Sequence, residues 1–381
     1  MSPRLAAVLD DLASSGSGQW HAVRFQQGEG SVTFRADHAE VTRAAIATLY
    51  GYRITHPGRA GWDITVRAAA VLDTAVVTGA FADAPLREIG PRLHARVLDS
   101  SRGQTYLVAE HATIIRADHP AATITAHCTG VESARYWAAR LVRQVMTAQL
   151  LATGAVYAHA AVFAHCGRGV LITGHRGAGK TTTLLACLRL LGGDYVTNDR
   201  LLLRREHGEL IGRPWPAHMR VGVGTLLAMP ELADLVPTQL RDIPQHRRWH
   251  HPDKVTIEPP EFSRLLSGGV VVSDVRPRLM LWPYVSCGGN GTAAVAVDEV
   301  RDVLLATRLF MLDPASGVSS HINHWLTGTP PAARTAEYVR HVVEDLAATV
   351  PCYRIPVDGN PRTLAARISA LLAHLPPTVG S

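Results

Sequence analysis

The chain has 381 residues, of which 47% are hydrophobic and 18% are charged. This composition excludes a chain that is disordered throughout, and the length is enough for two domains. The formal net charge of +6 suits anionic partners such as nucleotides, phosphates or acidic peptides. Because the basic residues are scattered along the chain and aromatic residues make up only 6%, we expect no nucleic-acid partner.

Lysine is rare in this sequence. Only two of the 38 basic residues are lysines, Lys180 and Lys254, and the others are arginines. An arginine-favouring codon bias explains most of this excess. Lysine and arginine are not chemically interchangeable, however, so the two lysines are candidate functional residues.

The cysteines and the apolar segments bear on the compartment. The five cysteines are widely separated and form no C-x-x-C pair, which indicates a reducing compartment rather than a disulfide framework or a zinc site. The first ten residues hold too short an apolar stretch for a signal peptide. Residues 144–167 are uncharged apart from histidine, but polar residues interrupt them, so we predict no membrane partner. We expect a cytoplasmic protein.

The first part of the chain is predicted to be rich in strands. Alternating and β-branched segments at 31–35, 105–109 and 122–127 indicate short strands. From Glu132 to Leu151, apolar residues recur at three- and four-residue spacing, which predicts an amphipathic helix. We predict a smaller β-rich (α+β) N-terminal domain of unknown role over residues 1–130, and a second domain over residues 131–381 that this helix opens.

The second domain is predicted to alternate strands and helices. Two strands, Val156–Phe163 and Gly169–Thr173, are joined by a turn, and the second strand leads directly into a glycine-rich loop. The final helix is predicted to begin with Asn360 as N-cap, and segment 236–262 is predicted to be irregular. Further predicted strands are Tyr195–Thr197, Leu201–Arg204, Val270–Val272, Leu279–Trp282 and Tyr353–Val357.

The glycine-rich loop Gly174-His-Arg-Gly-Ala-Gly-Lys-Thr181 matches the phosphate-binding motif G-x-x-x-x-G-K-[ST] at every fixed position. Its glycines let the backbone wrap around a phosphate, Lys180 supplies a compact positive charge, and the Thr181 hydroxyl is a ligand for Mg²⁺. An apolar strand precedes the loop and a leucine-rich helix follows, which is the context this motif requires. We therefore predict binding of ATP and Mg²⁺ by Gly174, His175, Arg176, Gly177, Ala178, Gly179, Lys180, Thr181 and Thr182.

A P-loop enzyme also needs an acidic group near the metal and a group that activates the nucleophile. Asp199 ends the strand after the P-loop helix and is either that acid or an ordinary turn aspartate. His159 lies on the strand before the P-loop strand and is either part of the site or a packed histidine. Lys254 either reaches the γ-phosphate or an anionic substrate, or is a surface lysine.

The stretch from His159 to Thr181 resembles the core of the bacterial HPr serine kinase/phosphorylase family. In that family a histidine on one strand is followed by a turn, a G-V-L-I-T-G strand and the P-loop. Residues 192–200 resemble the family segment that ends in two adjacent acids. The close resemblance covers residues 159–203, and a looser one to HPr-kinase-related proteins continues to the C-terminus. It implies an α/β fold with an HPr-kinase/PEP-carboxykinase-like P-loop domain.

The resemblance also implies roles for single residues. Asp199 would be the base that takes the proton from a serine hydroxyl and a metal ligand, His159 would lie beside it, and Lys180 would be catalytic. The sequence departs from the family at three places. Asn198 stands where the family has its first acid, no acid occurs in 219–224 where the family has a metal-binding glutamate, and the arginine-containing phosphorolysis loop is not recognisable.

These observations predict an ATP-dependent phosphotransferase whose acceptor is a hydroxyl group, of serine or threonine in a protein or peptide. Two other interpretations stay open. The acceptor could be a small-molecule alcohol, a metabolite or a natural product, or the chain could be a nucleotide-dependent binding or regulatory protein without phosphotransfer. The sequence leaves the formation of a homo-oligomer open.

Overall fold

The computed structural model describes residues 19–56, 61–68, 74–90, 93–249, 251–286, 291–306, 325–328 and 335–375. The chain divides into two compact units, both of which mix helices and strands. The first unit comprises Met1–Thr153 and Ser319–Ala333, and the second comprises Gly154–Val318 and Arg334–Ser381.

The first unit is built on one sheet of nine described strands. Its strands are β1 (His21–Gln27), β2 (Gly30–Ala36), β3 (Arg53–Thr55), β4 (Trp62–Arg67), β5 (Leu86–Gly90), β6 (Leu93–Ser100), β7 (Gly103–Val108), β8 (Thr113–Asp118) and β9 (Thr123–Cys128). Its helices are α1 (Ala39–Thr48), α2 (Thr74–Ala80) and α3 (Val131–Ala152). The strand order is β3-β1-β2-β4-β9-β8-β7-β6-β5, with parallel pairing of β2, β4 and β9 in the centre.

The core of the first unit lies between this sheet and two helices. Helices α1 and α3 pack against each other, and α3 also contacts β2, β4 and β9. Trp137 and Leu141 of α3 are fully buried in one apolar cluster with Phe25 and Phe34 of the sheet. The apolar stripe of α3 therefore belongs to the first unit, and the boundary follows Thr153 rather than residue 130.

The described residues of the second unit form three smaller sheets. Its strands are β10 (Val156–Ala158), β11 (Ala161–His165), β12 (Arg168–Ile172), β13 (Asp194–Thr197), β14 (Leu201–Glu206), β15 (Glu209–Pro214), β16 (Met219–Gly222), β17 (Lys254–Ile257), β18 (Pro277–Val285), β19 (Ala293–Ala294) and β20 (Cys352–Val357). Its helices are α4 (Lys180–Leu190), α5 (Val223–Leu227), α6 (Gln245–Arg248), α7 (Val297–Ala306), α8 (Thr335–Thr349) and α9 (Pro361–Ala373). The sheet orders are β13-β11-β12-β18-β20-β19, β10-β14-β15 and β16-β17.

The six-stranded sheet positions the glycine-rich loop. Strands β12, β18 and β20 are parallel, and the loop follows β12 at their carboxyl ends, the edge at which α/β sheets bind ligands. Helix α4 leaves the loop, contacts β11 and β12, and packs against α9. Asn360 caps α9 as predicted, because its side-chain oxygen accepts hydrogen bonds from the backbone N–H groups of Arg362 and Thr363.

Most of the predicted strands are confirmed, but three predictions for the second domain need correction. The segment Val156–Phe163 forms two strands in different sheets, because the chain leaves β10 before it enters β11. Residues 270–272 make only an isolated bridge, between Tyr195 and Val271. Segment 236–262 is not wholly irregular, because it contains α6 and β17.

Four of the five cysteines lie within the described residues. Cys128, Cys187 and Cys352 are buried and Cys166 is exposed, and none of the four forms a disulfide. Cys287 lies outside the described residues. Within the described ranges, no helix has both the length and the apolar character that crossing a membrane requires.

Candidate active site

The glycine-rich loop, residues 174–181, is shaped by backbone conformations that favour glycine. Gly179, which directly precedes α4, has φ +100°, and a Cβ atom there would lie 3.0 Å from Cγ2 of Val357 at the end of β20. Gly177 has φ +86° and faces open space. Any other residue at position 179 would therefore strain the backbone and press the loop away from the sheet edge.

Lys180 folds back over this loop. Its ammonium nitrogen Nζ donates hydrogen bonds to the backbone oxygens of Gly174, at 2.7 Å, and His175, at 3.1 Å. An ammonium group has three protons, so one further acceptor can be bound. Partial burial lowers the pKa of Lys180, the negative charge of Asp199 opposes that shift, and the positive charge of Lys254 adds to it.

The three threonines after Lys180 have different surroundings. Thr181 is half-buried, whereas the buried Thr182 hydroxyl lies 2.8 Å from the hydroxyl of Thr225 on α5. The Thr183 hydroxyl donates to the backbone oxygen of Gly179. The side chain of Thr182 therefore does not face the loop. This predicted site residue could contribute only its backbone N–H, which lies at the start of a helix.

His175, Arg176 and Gly177 form the exposed tip of the loop, and Ala178 is half-buried. Gly174 at the start of the loop approaches Trp282 of β18, where an added Cβ atom would lie 3.3 Å from the indole. The loop therefore contacts the sheet at both ends and is exposed in the middle, where the backbone N–H of Ala178 donates to the backbone oxygen of His175, at 3.2 Å.

Residues 198–200 connect β13 to β14 and are called the acid turn below. One carboxylate oxygen of Asp199, Oδ1, lies 3.6 Å from Nδ1 of His159, and the other, Oδ2, lies 3.2 Å from Nε of Arg200. His159 occupies the break between β10 and β11, and its side chain is 36% exposed against 41% for Asp199. The structure thus brings the predicted pair His159 and Asp199 together and leaves both accessible.

Arg200 and its aromatic neighbours are not among the site residues that the sequence predicts. The guanidinium carbon of Arg200 lies 4.4 Å from the ring centre of Trp215 and 6.0 Å from that of Tyr157. The backbone N–H of Trp215 also donates to the backbone oxygen of Arg200, at 3.2 Å. Adjacency to Asp199 was the only sequence signal for Arg200, and nothing in the sequence pointed to Trp215.

Asn198, which stands where the resembled family has an acid, has partners at both ends of its amide. Its Oδ1 accepts a hydrogen bond from the Tyr195 hydroxyl at 2.6 Å, and its Nδ2 donates to the backbone oxygen of His218 at 3.3 Å. His218 directly precedes β16. Asn198 therefore ties the acid turn to the two-stranded sheet formed by β16 and β17.

Lys254 is the first residue of β17 and lies opposite Gly222 of β16. The side chain is exposed. Because its charge lowers the pKa of Lys180, the two ammonium groups are within electrostatic reach of each other. The predicted candidates Lys180, Lys254, Asp199 and His159 therefore belong to one region of the second unit.

The described residues include no group of three or more His, Cys, Asp and Glu side chains that could hold a metal ion. Mg²⁺ does not require such a group, because in nucleotide-binding sites it takes one or two protein oxygens together with phosphates and water. The half-buried Thr181 hydroxyl and the exposed Asp199 carboxylate are oxygen donors of that kind. The donor set available here therefore fits Mg²⁺ bound together with a nucleotide.

No protein-family model and no curated protein matches this chain. Among solved structures, the chain shows a weak similarity to the HPr(Ser) kinase/phosphatase from Coxiella burnetii, with 14% sequence identity and a TM-score of 0.28. The similarity covers 57% of this chain and 90% of that one. A likeness at this level supports no conclusion about the reaction or the ligands of this chain.

Proposed function

We propose that the chain is an ATP-dependent kinase that transfers the γ-phosphoryl group to the hydroxyl of serine or threonine in a protein or peptide. The observation that carries this proposal is the geometry of the acid turn, where Nδ1 of His159 lies 3.6 Å from one carboxylate oxygen of Asp199 and Nε of Arg200 lies 3.2 Å from the other. The negative charge of Asp199 also opposes the lowering of the pKa of Lys180. Lys180 and Asp199 supply the two charges that phosphoryl transfer to a hydroxyl needs.

The proposed roles follow from the chemistry of each group. The acceptor oxygen forms a bond to the γ-phosphorus while the bond to ADP breaks, and the hydroxyl proton passes to the carboxylate of Asp199. Lys180 stabilises negative charge on the transferring group. Arg200 lies 3.2 Å from one carboxylate oxygen and orients it, while the ring of His159 lies 3.6 Å from the oxygen that would accept the proton.

Mg²⁺ would be held by Thr181 and Asp199, and when bound it would neutralise charge on the β- and γ-phosphates. The nucleotide phosphates would be bound by the backbone N–H groups of 174–181 and by the first turn of α4. The exposed tip residues His175 and Arg176 would line the outer side of this site.

A nucleotide-dependent regulatory protein is the second candidate. Asn198 favours it, because this residue carries no charge and both ends of its amide are engaged in hydrogen bonds. In such a protein ATP would bind to the same loop and no acceptor would be phosphorylated. A kinase for small-molecule alcohols would use the same groups as the peptide kinase and differ only in the acceptor.

The test is incubation of the purified chain with γ-labelled ATP, Mg²⁺ and serine-containing peptides, with ATP affinity measured separately by calorimetry. We expect phosphopeptide from the wild type, a loss of at least about 100-fold for Asp199→Asn with ATP affinity kept, and a loss of ATP affinity for Lys180→Ala. Full transfer by Asp199→Asn would refute Asp199 as the base. ATP binding without transfer to any peptide or alcohol would favour the regulatory protein.

A further inference from the structure

The two-stranded sheet of β16 and β17, called the basic ribbon below, has one buried and one exposed face. Met219, Val221 and Ile257 are buried. Arg220, Lys254 and Thr256 are exposed. Residues directly opposite each other in an antiparallel pair share a face, and the register pairs Arg220 with Thr256 and Gly222 with Lys254. The exposed face therefore carries two positive charges and no carboxylate.

The two cations of the exposed face form no ion pair with a described acidic residue. Within the part of the chain that the structure describes, neither Arg220 nor Lys254 has an acidic partner within ion-pair distance. The neighbouring acid in sequence, Asp253, lies 3.8 Å from the His251 ring instead. A Cβ atom added at Gly222, opposite Lys254, would meet no atom within 4 Å, so the space above this pair is open.

The ribbon lies beside the groups of the proposed transfer reaction. Asn198 of the acid turn donates a hydrogen bond to the backbone oxygen of His218, the residue before β16. The charge of Lys254 acts on Lys180 of the P-loop. The start of the ribbon therefore lies next to the acid turn that contains Asp199.

We infer that the basic ribbon binds the acceptor and selects a peptide with acidic residues near its serine or threonine. This inference rests on the proposed function. Arg220 and Lys254 lie two register positions apart, which is about 7 Å along a strand. In an extended peptide, side chains at positions i and i+2 point the same way at the same spacing. Two acidic residues separated by one residue therefore match the two cations.

The basic charges of the ribbon also bear on the choice between acceptor classes. A compact alcohol would be held by groups close to the transferring phosphate. Two cations spaced along a strand, together with the open space above Gly222, suit an extended chain instead. The exposed cations would also make binding sensitive to ionic strength, because salt screens charges at a surface.

The probes are two fluorescein-labelled peptides with a central serine, one with glutamates at alternate positions beside it and one with glutamines there. Binding to the full chain is measured by fluorescence anisotropy, first in low-salt buffer and then at about 0.15 M salt, because salt screens the attraction between surface charges. We expect the glutamate peptide to bind about ten times more tightly at low salt, and the preference to shrink as salt rises.

The variants are Arg220→Gln and Lys254→Gln, with Arg340→Gln as the matched control because Arg340 is an exposed arginine on α8. We expect each ribbon variant to lower the glutamate preference about three-fold and to keep the affinity for the glutamine peptide. The control should keep the preference. The charge reversal Arg220→Glu with Lys254→Glu should instead favour a peptide with lysines at those positions.

The outcomes separate this inference from the proposed function. Equal affinity for both peptides would overturn the inference even if the glutamine peptide were phosphorylated. Loss of ATP affinity in Lys254→Gln, with the peptide preference unchanged, would assign Lys254 to the phosphates and also overturn it. A preserved preference without any phosphotransfer would support the ribbon as a binding surface and contradict the kinase.

Discussion

The glycine-rich loop and the acid turn are built in different ways. The glycine-rich loop is one continuous segment, and its shape depends on glycine conformations and on Lys180, which donates hydrogen bonds to the backbone of the same segment. The acid turn spans three residues, yet its side chains contact His159, Trp215, Tyr195 and the residue before β16. The first site is therefore set by local sequence, and the second by packing between strands.

This difference predicts different consequences for substitutions. In the glycine-rich loop, a substitution that displaces the backbone should remove ATP binding. In the acid turn, loss of one neighbour should weaken the position of Asp199 while ATP binding remains.

The largest effect is expected for Gly179→Ala. The methyl group would lie 3.0 Å from Val357, and alanine disfavours the φ of +100° that the loop requires, so the loop must move. We expect ATP affinity to fall about 100-fold by calorimetry, because a displaced loop loses its aligned N–H groups. The matched control is Gly208→Ala, which has φ +85° and open space in the turn between β14 and β15. The control should lose some stability and keep ATP affinity.

A double-mutant cycle tests Arg200 as the residue that positions Asp199. We expect Arg200→Ala to lower the kcat of phosphotransfer about 30-fold with little change in KM for ATP, and Arg200→Lys to recover part of it. In the Asp199→Asn background the same substitution should change kcat less than about two-fold. Equal losses in both backgrounds would mean that Arg200 acts independently of Asp199.

The substitution Asn198→Asp tests whether position 198 requires an amide for its hydrogen bonds or would support phosphotransfer better with a carboxylate. The substitution removes the Nδ2 donor and places a carboxylate oxygen near the His218 backbone oxygen. We expect the free energy of unfolding to fall by about 1 to 2 kcal/mol in urea denaturation. ATP affinity should change little. A rise in Mg²⁺-dependent transfer would show instead that position 198 serves the metal.

The smallest effect is expected for Trp215→Leu. The indole lies under the Arg200 guanidinium at 4.4 Å, and such a contact at a partly exposed site contributes about 0.5 to 1 kcal/mol. We expect kcat to fall about two- to five-fold. Trp215→Phe keeps an aromatic face and should retain most of the activity. If both variants were equally impaired, packing rather than the cation–π contact would explain the loss.

Local patterns in the sequence predicted several elements correctly. The amphipathic helix that became α3, the strand–loop–helix around Gly174–Thr181 and the Asn360 cap all depend on interactions within a few residues. Such interactions leave a periodic or positional signal in the sequence. The pairing of His159 with Asp199 came from the resemblance to a family, since no local rule connects residues that far apart.

Other features depended on contacts between distant segments. The sequence pattern of α3 fixed its apolar stripe but not the sheet that the stripe covers, and so the boundary near residue 130 was misplaced. In the same way, alternation of residue types could not show that β10 and β11 join different sheets. A helix or strand can bury its apolar side on any suitable partner, and the partner is chosen by the whole fold.

The sequence by itself determined the conformation of the glycine-rich loop, because its glycines, its lysine and the start of α4 interact within one continuous segment of the chain. Only the tertiary structure decided what surrounds Asp199. It placed Arg200 over Trp215, engaged Asn198 with Tyr195 and His218, and turned Thr182 toward Thr225. These are contacts between side chains or backbone groups of different elements, and their partners are set by how the strands and helices pack.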